Sequence, residues 1–225
     1  MADEDFEKSW ISKFTHWLDT VAGEKIRKKV LQDQLPSGSS PKEVVDWTAK
    51  TMERLDSLVD EETRNKILAG CGCQYPLSHI EQLRAYYEET NADAVHEMLQ
   101  NQFEKDIKEW FGQDEFVQKV LQKNWGVAGV KEGNTIYVIK IPFEFTAYFE
   151  EPDKNKKRFY YCHCPRVREA IKSQTKISPT YCYCGAGYYK KIWEGITGKP
   201  VKVEVLKSVL QGDDVCKIAV YLPAE

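Results

Sequence analysis

Trp125-Gly126-Val127-Ala128-Gly129-Val130-Lys131-Glu132-Gly133-Asn134-Thr135-Ile136-Tyr137-Val138-Ile139-Lys140-Ile141-Pro142 is the stretch at which the chain changes its period. Residues 126 to 130, 135 to 142 and 143 to 150 are rich in Val, Ile, Phe, Tyr and Thr, the composition of strands. Lys131-Glu132-Gly133-Asn134 reads as a hairpin turn between the first two. Pro152 to Lys157 reads as a polar loop and Arg158 to Cys164 as a further strand. Short helices are expected around Arg166 to Lys172 and Cys184 to Ile196. Val201 to Val209 and Val215 to Leu222 then form a closing hairpin around Gln211-Gly212-Asp213-Asp214.

Upstream of Trp125 the pattern is helical. Phe6, Trp10, Ile11, Phe14, Trp17, Leu18 and Val21 recur at spacings of three and four, which is one apolar helix face. Pro36, Gly38 and neighbouring serines mark a loop. Ser40-Pro41-Lys42-Glu43 is a helix start: serine caps, proline suits the first turn, and glutamate closes a capping box. Val44, Thr48, Met52, Leu55 and Leu58 continue that helix. A shorter helix ends at Gly70, and further helical faces carry Ile80, Leu83 and Tyr86/Tyr87, then Val95, Met98, Leu99, Phe103, Ile107 and Trp110. The architecture is therefore α+β, a helical N-terminal half packed on a C-terminal antiparallel sheet with short helices. The two regions, 1–124 and 125–225, are expected to form one compact unit.

Composition narrows the function classes. In 225 residues, hydrophobic side chains make up 42% and charged ones 30%, enough for a core and against disorder. Lysine and arginine total 32 against 35 acids, for a formal charge of -3. That near balance argues against a nucleic-acid protein built on a basic field. No apolar run approaches the roughly 18 residues of a membrane span. The acidic opening Met1-Ala2-Asp3-Glu4-Asp5 is unlike a secretory signal, so a cytoplasmic protein is expected. The many aromatic residues leave a homodimer open.

Six of the seven cysteines fall into Cys-x-Cys pairs: Cys71/Cys73, Cys162/Cys164 and Cys182/Cys184. Reduced thiols clustered in this way suggest metal or redox chemistry before a disulfide framework. Residues i and i+2 of an extended chain point to one face, so each pair reads as a two-pronged chelator. Cys162, Cys164, Cys182 and Cys184 would make a tetrahedral sulfur site for zinc, at about 2.3 Å, or for an iron–sulfur cluster. Cys71 and Cys73 would join it from the helical half or guard a pocket opening. Alternatives are redox-active thiols and simple burial. The spacing also departs from ordinary zinc fingers, whose paired cysteines have two to four residues between them. Cys216 alternates with Ile218 and Val220, which places it in a strand core.

Other residues carry less. His163 lies between two candidate ligands and is expected on the opposite strand face. His16, His79 and His96 sit on predicted helices without a motif. Gly185-Ala186-Gly187 opens a helix and would suit a phosphate, but one Gly-x-Gly is thin evidence. Tyr160, Tyr161, Tyr181, Tyr183, Tyr188 and Tyr189 crowd the cysteines and would line a ligand pocket as readily as pack.

Residues Tyr181 to Leu222 resemble the 4-vinyl-reductase domain family. The likeness rests on Cys184 with Gly187-Tyr188 opening a helix, on Gly198-Lys199-Pro200-Val201-Lys202-Val203-Glu204-Val205, and on Gly212-Asp213 followed by Cys216 in a terminal hairpin. The closing hairpin is also similar to that of bacterial proteins related to aminothiazoline-carboxylate hydrolase. The resemblance implies an α+β fold shared with nitric-oxide-sensing haem domains and Golgi-transport subunits, with a pocket for small or apolar ligands. Neither pattern requires Cys71-Gly72-Cys73 or Cys162-His163-Cys164. The expected function is a metal-binding (zinc or iron–sulfur), small-ligand-binding or sensor protein. The alternative is a cysteine- or metal-dependent hydrolase of a small C–N bond substrate, which lacks an evident base. A third reading is a structural interaction module related to the trafficking subunits.

Overall fold

Ser40 behaves as its sequence context demands. Its hydroxyl accepts from the Glu43 backbone N–H while the Glu43 carboxylate accepts from the Ser40 N–H, closing the capping box at the start of α3 (Pro41–Leu58). The computed structural model describes residues 4–73, 75–112 and 115–224. Before α3 come α1 (Glu4–Ala22) and α2 (Glu24–Val30). After it come α4 (Glu61–Gly70), capped by Asp60, then α5 (Leu77–Glu89), α6 (Ala92–Phe111), capped by Asn91, and α7 (Glu115–Gln122). Each cap accepts from a backbone N–H of the first turn, which has no partner inside the helix.

The sheet has four antiparallel strands in the order β1-β2-β4-β3, namely β1 (Val130–Glu132), β2 (Thr135–Ile139), β4 (Lys217–Tyr221) and β3 (Lys202–Lys207). Ile136 pairs with Val220 and Val138 with Ile218, so the alternating buried residues of β2 and β4 share one face. That face packs on α11 (Tyr183–Thr197) through Ala186, Tyr189, Ile192, Trp193 and Ile196. A second cluster joins Trp10, Phe14 and Leu18 of α1 to Met52, Leu55, Phe145, Tyr161, Tyr181 and Val209. One core thus draws on residues from both 1–124 and 125–225. The molecule is α+β, with helices mostly in the N-terminal part and the small antiparallel sheet near the C-terminus. Among the described residues, no helix is long and apolar enough to cross a membrane.

Two segments expected as strands are helices. Residues 143 to 150 contain α8 (Phe145–Glu150), in which Phe145, Tyr148 and Phe149 stand three and four apart. They form one aromatic face, with Phe145 and Phe149 rings 5.1 Å apart. The second is the strand expected over Arg158 to Cys164, whose first residues, with most of the loop expected over Pro152 to Lys157, form α9 (Lys154–Tyr161). Asp153 starts it by accepting from the N–H groups of Asn155 and Lys156, so a local cap overrides the strand-like composition of Phe159-Tyr160-Tyr161. The next helix, α10 (Pro165–Ser173), has proline at its first position. The first strand is also displaced: β1 begins at Val130 and runs into the expected turn.

Candidate functional site

The change at α9 alters how the cysteines are presented. Cys162 and Cys164 lie in a short extended linker between α9 and α10, with φ, ψ of -76°, 130° and -83°, 119°. The i, i+2 geometry expected for a strand therefore survives locally. Cys182 and Cys184 differ. A 3-10 turn over Pro179–Cys182 runs directly into α11, and Cys182 has helical backbone angles of -68° and -13°. Residues two apart on a helix do not face each other. Cys184 accepts from the Trp10 indole N–H at 3.4 Å and its thiol donates to the Cys71 carbonyl at 3.5 Å. Cys182 instead has Cys216 and Ser208 as neighbours.

The third pair also divides. Cys71 is buried at the end of α4, where its thiol donates to the Ile67 carbonyl at 3.3 Å, while Cys73 is exposed. The α4–α11 approach that brings these segments together depends on glycine. A Cβ added at Gly187 would run into the Ala69 carbonyl oxygen, and one at Gly72 would lie 2.6 Å from the Gly187 backbone. Gly187 therefore serves close packing, in place of the phosphate cradle that Gly185-Ala186-Gly187 suggests.

These segments enclose a cavity of about 530 Å³ between α1, α6, the α9–α10 linker, α11 and the sheet. This lies within the range of about 300–1,000 Å³ typical of small-molecule sites. Cys73, Cys162, Cys164, Cys182 and Cys184 line it, as do Tyr161, Tyr181 and Tyr188; Cys71 and Tyr183 do not. Cys216 lines it too. The expected strand-core position fails because β4 begins one residue later, leaving Cys216 half-buried at the strand's entrance. His163, expected on an opposite face, also reaches this wall, where its Nε2–H donates to the Ile141 carbonyl at 2.8 Å. Burial lowers its pKa, favouring the neutral ring.

Most of the thiols are held protonated. Burial, followed by the nearby Cys164, pushes Cys184 up to about 12. Burial likewise raises Cys162, Cys182 and Cys216, and at each a neighbouring thiol adds to the effect. Among the described residues, no three of His, Cys, Asp and Glu come together as a set that could hold a metal ion. Of the donors expected for zinc or an iron–sulfur cluster, Cys73, Cys162, Cys164, Cys182 and Cys184 share the cavity and Cys71 lies outside it.

The tyrosine hydroxyls are mostly engaged. Tyr161 donates to the Lys140 carbonyl at 2.8 Å and accepts from the Cys216 N–H at 2.9 Å, tying off the end of the β2–β4 pair. The Tyr181 oxygen accepts from the Cys164 thiol at 3.7 Å. At another part of the wall, the Tyr75 hydroxyl meets His79 Nδ1 at 2.7 Å and its ring stands against Tyr188. Tyr189 lines the cavity as expected, whereas Lys140 is a lining residue that was not anticipated. The signal for Lys140 was present as a lone cation in the apolar run Ile136-Tyr137-Val138-Ile139-Lys140-Ile141.

A wider hollow of about 1390 Å³ opens elsewhere, bordered by Lys50, Glu53, Lys156, Arg158, Lys172 and Lys176. It gathers surface charge, whereas the cysteines, tyrosines and apolar walls converge on the smaller cavity.

Residues 145–224 match the model of a family of unknown function (DUF6144), a span from α8 to the end of the sheet. It takes in five of the cavity cysteines, Cys162, Cys164, Cys182, Cys184 and Cys216, but not Lys140 or α1 to α7. No curated protein and no solved structure matches the chain.

Proposed function

We propose that this chain is a small-ligand-binding protein whose ligand occupies the cysteine-lined cavity. The observation that carries the reading is the cavity itself: aromatic and thiol walls around about 530 Å³, with few polar groups left over after internal hydrogen bonding. Neutral thiols are polarisable and weakly polar, so these cysteines serve as wall for an apolar body. The likeness of residues 181–222 to the 4-vinyl-reductase domain family supports the same reading, because that family implies a pocket for small or apolar ligands. The hydrolase alternative has less support. A nucleophilic cysteine needs a thiolate, and burial raises Cys162, Cys182, Cys184 and Cys216 away from it.

Gly185 offers a direct test. It lies in the first turn of α11 on the cavity wall, and an added Cβ would meet only the Lys140 ammonium, 3.9 Å away. Gly185→Leu should fill the cavity while leaving the fold intact, since leucine is a better helix former than glycine by about 1 kcal/mol. Small molecules retained through gentle purification, extracted and identified by mass spectrometry, should be present in the wild type and lost in the variant. Thermal shifts with a diverse panel of drug-sized compounds should show the same contrast. If both proteins behave alike in both measurements, the reading is wrong. Stoichiometric zinc or iron in anaerobically purified protein, abolished by Cys164→Ser with Cys182→Ser, would replace it with the metal-centre reading.

A further inference from the structure

Lys140 follows β2 and points its ammonium into the cavity beside the first turn of α11, where a Gly185 Cβ would stand 3.9 Å away. Among the described residues it forms no ion pair and its Nζ donates no hydrogen bond, although it is heavily desolvated. A charge so placed ordinarily has a partner. Its ionisable neighbours among the described residues include Tyr189, Cys216, Cys162, Cys164, Cys182 and His163, with no carboxylate in the set. Burial opposes the Lys140 charge, but the anionic forms of Tyr189, Cys216, Cys162 and Cys164 favour it, and the net direction is upward. Yet burial also raises Tyr189, Cys162 and Cys216, keeping those groups neutral near pH 7, so they supply no counter-charge there. One further feature adds to the positive field. The N-terminal end of α11 carries the positive pole of its helix dipole, and no side chain caps it. Among the described residues the one carboxylate on the cavity wall is Asp106, which accepts from the Gln102 amide and neighbours Tyr75, and it is absent from the groups acting on Lys140. The Tyr189 hydroxyl also has no hydrogen-bond partner among the described residues.

We infer that the cavity takes an organic acid, a carboxylate on a largely apolar body, with its negative end held by the Lys140 ammonium and the Tyr189 hydroxyl and its body against the aromatic and thiol walls. The inference rests on the ligand-binding reading above and names the class of ligand. The anion provides the charge that the cavity lacks. It accepts a charge-assisted hydrogen bond from Lys140 and a second from Tyr189. The remaining wall is mainly aromatic, aliphatic and thiol, with Asp106 and Lys207 as its other charged groups.

Matched probes separate the charge from the body. Isothermal titration of the full chain with 2-naphthoate and octanoate, against 2-naphthamide and octanamide, compares an anion with a neutral molecule of nearly the same shape. The wild type should prefer each carboxylate over its amide by about tenfold or more, equivalent to about 1.4 kcal/mol. Lys140→Met keeps the side chain's length and removes its charge, and should reduce that preference to about twofold. Tyr189→Phe should reduce it by a smaller factor. Circular dichroism and thermal melting would verify that both variants fold. Equal binding of acid and amide by the wild type overturns the inference but leaves the ligand-binding reading standing. A preference that survives in Lys140→Met also overturns it. Failure of all four probes, in wild type and variants alike, counts against both readings.

Discussion

Two cations, Arg166 buried and Lys140 half-buried, sit in contrasting surroundings. Arg166, at the start of α10, lies in the helical core with its guanidinium 4.0 Å from the Trp10 ring centroid and near Trp47 and Tyr181. The Glu7 carboxylate of α1 accepts from its Nε at 3.3 Å and also from its Nη2. Burial works against the Arg166 charge, but Tyr181 and Glu7 hold it on balance well above its ordinary pKa. Among the described residues, Lys140 has no such carboxylate. Its neighbours are thiols, a tyrosine and a histidine, and its side chain faces a cavity in place of a filled core. A cation whose partner is built into the chain serves the fold. One placed against a hollow with no partner is left for something that arrives from outside.

The largest expected effect tests that contrast directly. Glu7→Ala should cost about 3–5 kcal/mol in chemical denaturation, because it leaves the Arg166 charge buried and unpaired. Lys140→Met should leave stability within about 1 kcal/mol of the wild type, or raise it, since no internal partner is orphaned. Similar losses in both variants would remove the distinction between the two sites.

The two glycines of α11 sharpen the same difference. Gly187 faces the packed seam with α4, where its added Cβ would strike the Ala69 carbonyl, while Gly185 faces the hollow. Gly187→Ala should therefore cost about 3 kcal/mol or prevent native packing. The measurement is a denaturation midpoint, set beside that of Gly185→Leu; an unchanged midpoint for Gly187→Ala would show that the seam is loose.

A smaller effect per residue comes from the thiols. In the unfolded chain they ionise near pH 8.5, whereas Cys162, Cys182, Cys184 and Cys216 resist ionisation in the fold. Their contribution is fully present below the unfolded value and is lost as pH rises through it. At pH 9.5 each should remove roughly 1 kcal/mol of stability relative to pH 7. Denaturation at both values should show the decline, and replacing these four cysteines by alanine should flatten it. Persistence of the full slope in that variant would mean that the thiols are not the titrating groups.

Much of this architecture was legible before the fold was known. Ser40-Pro41-Lys42-Glu43 specifies its helix start through atoms only three residues apart. The closing β3–β4 hairpin follows from two β-branched runs with a turn between them. The errors fall in residues 143 to 164, where aromatic side chains suit either a strand or a helix. There the deciding signals were weaker, the three- and four-residue spacing of Phe145, Tyr148 and Phe149, and the Asp153 cap. The misreading extended to the site. Treating every Cys-x-Cys as a chelator assumed extended backbone, which holds at Cys162–Cys164 but not at Cys182–Cys184.

By itself the sequence determined the α+β class, the Ser40 capping box and the final hairpin. Each of these follows from local propensity or short-range periodicity. Only the tertiary structure decided that Cys71 belongs to the core, that Cys216 faces the cavity, and that Arg166 finds Glu7 while Lys140 finds no carboxylate. The reason is physical. Burial and counter-charge come from groups far apart in the chain, as the Arg166–Glu7 pair shows across 159 residues, and such meetings leave no periodic trace in the residues that take part.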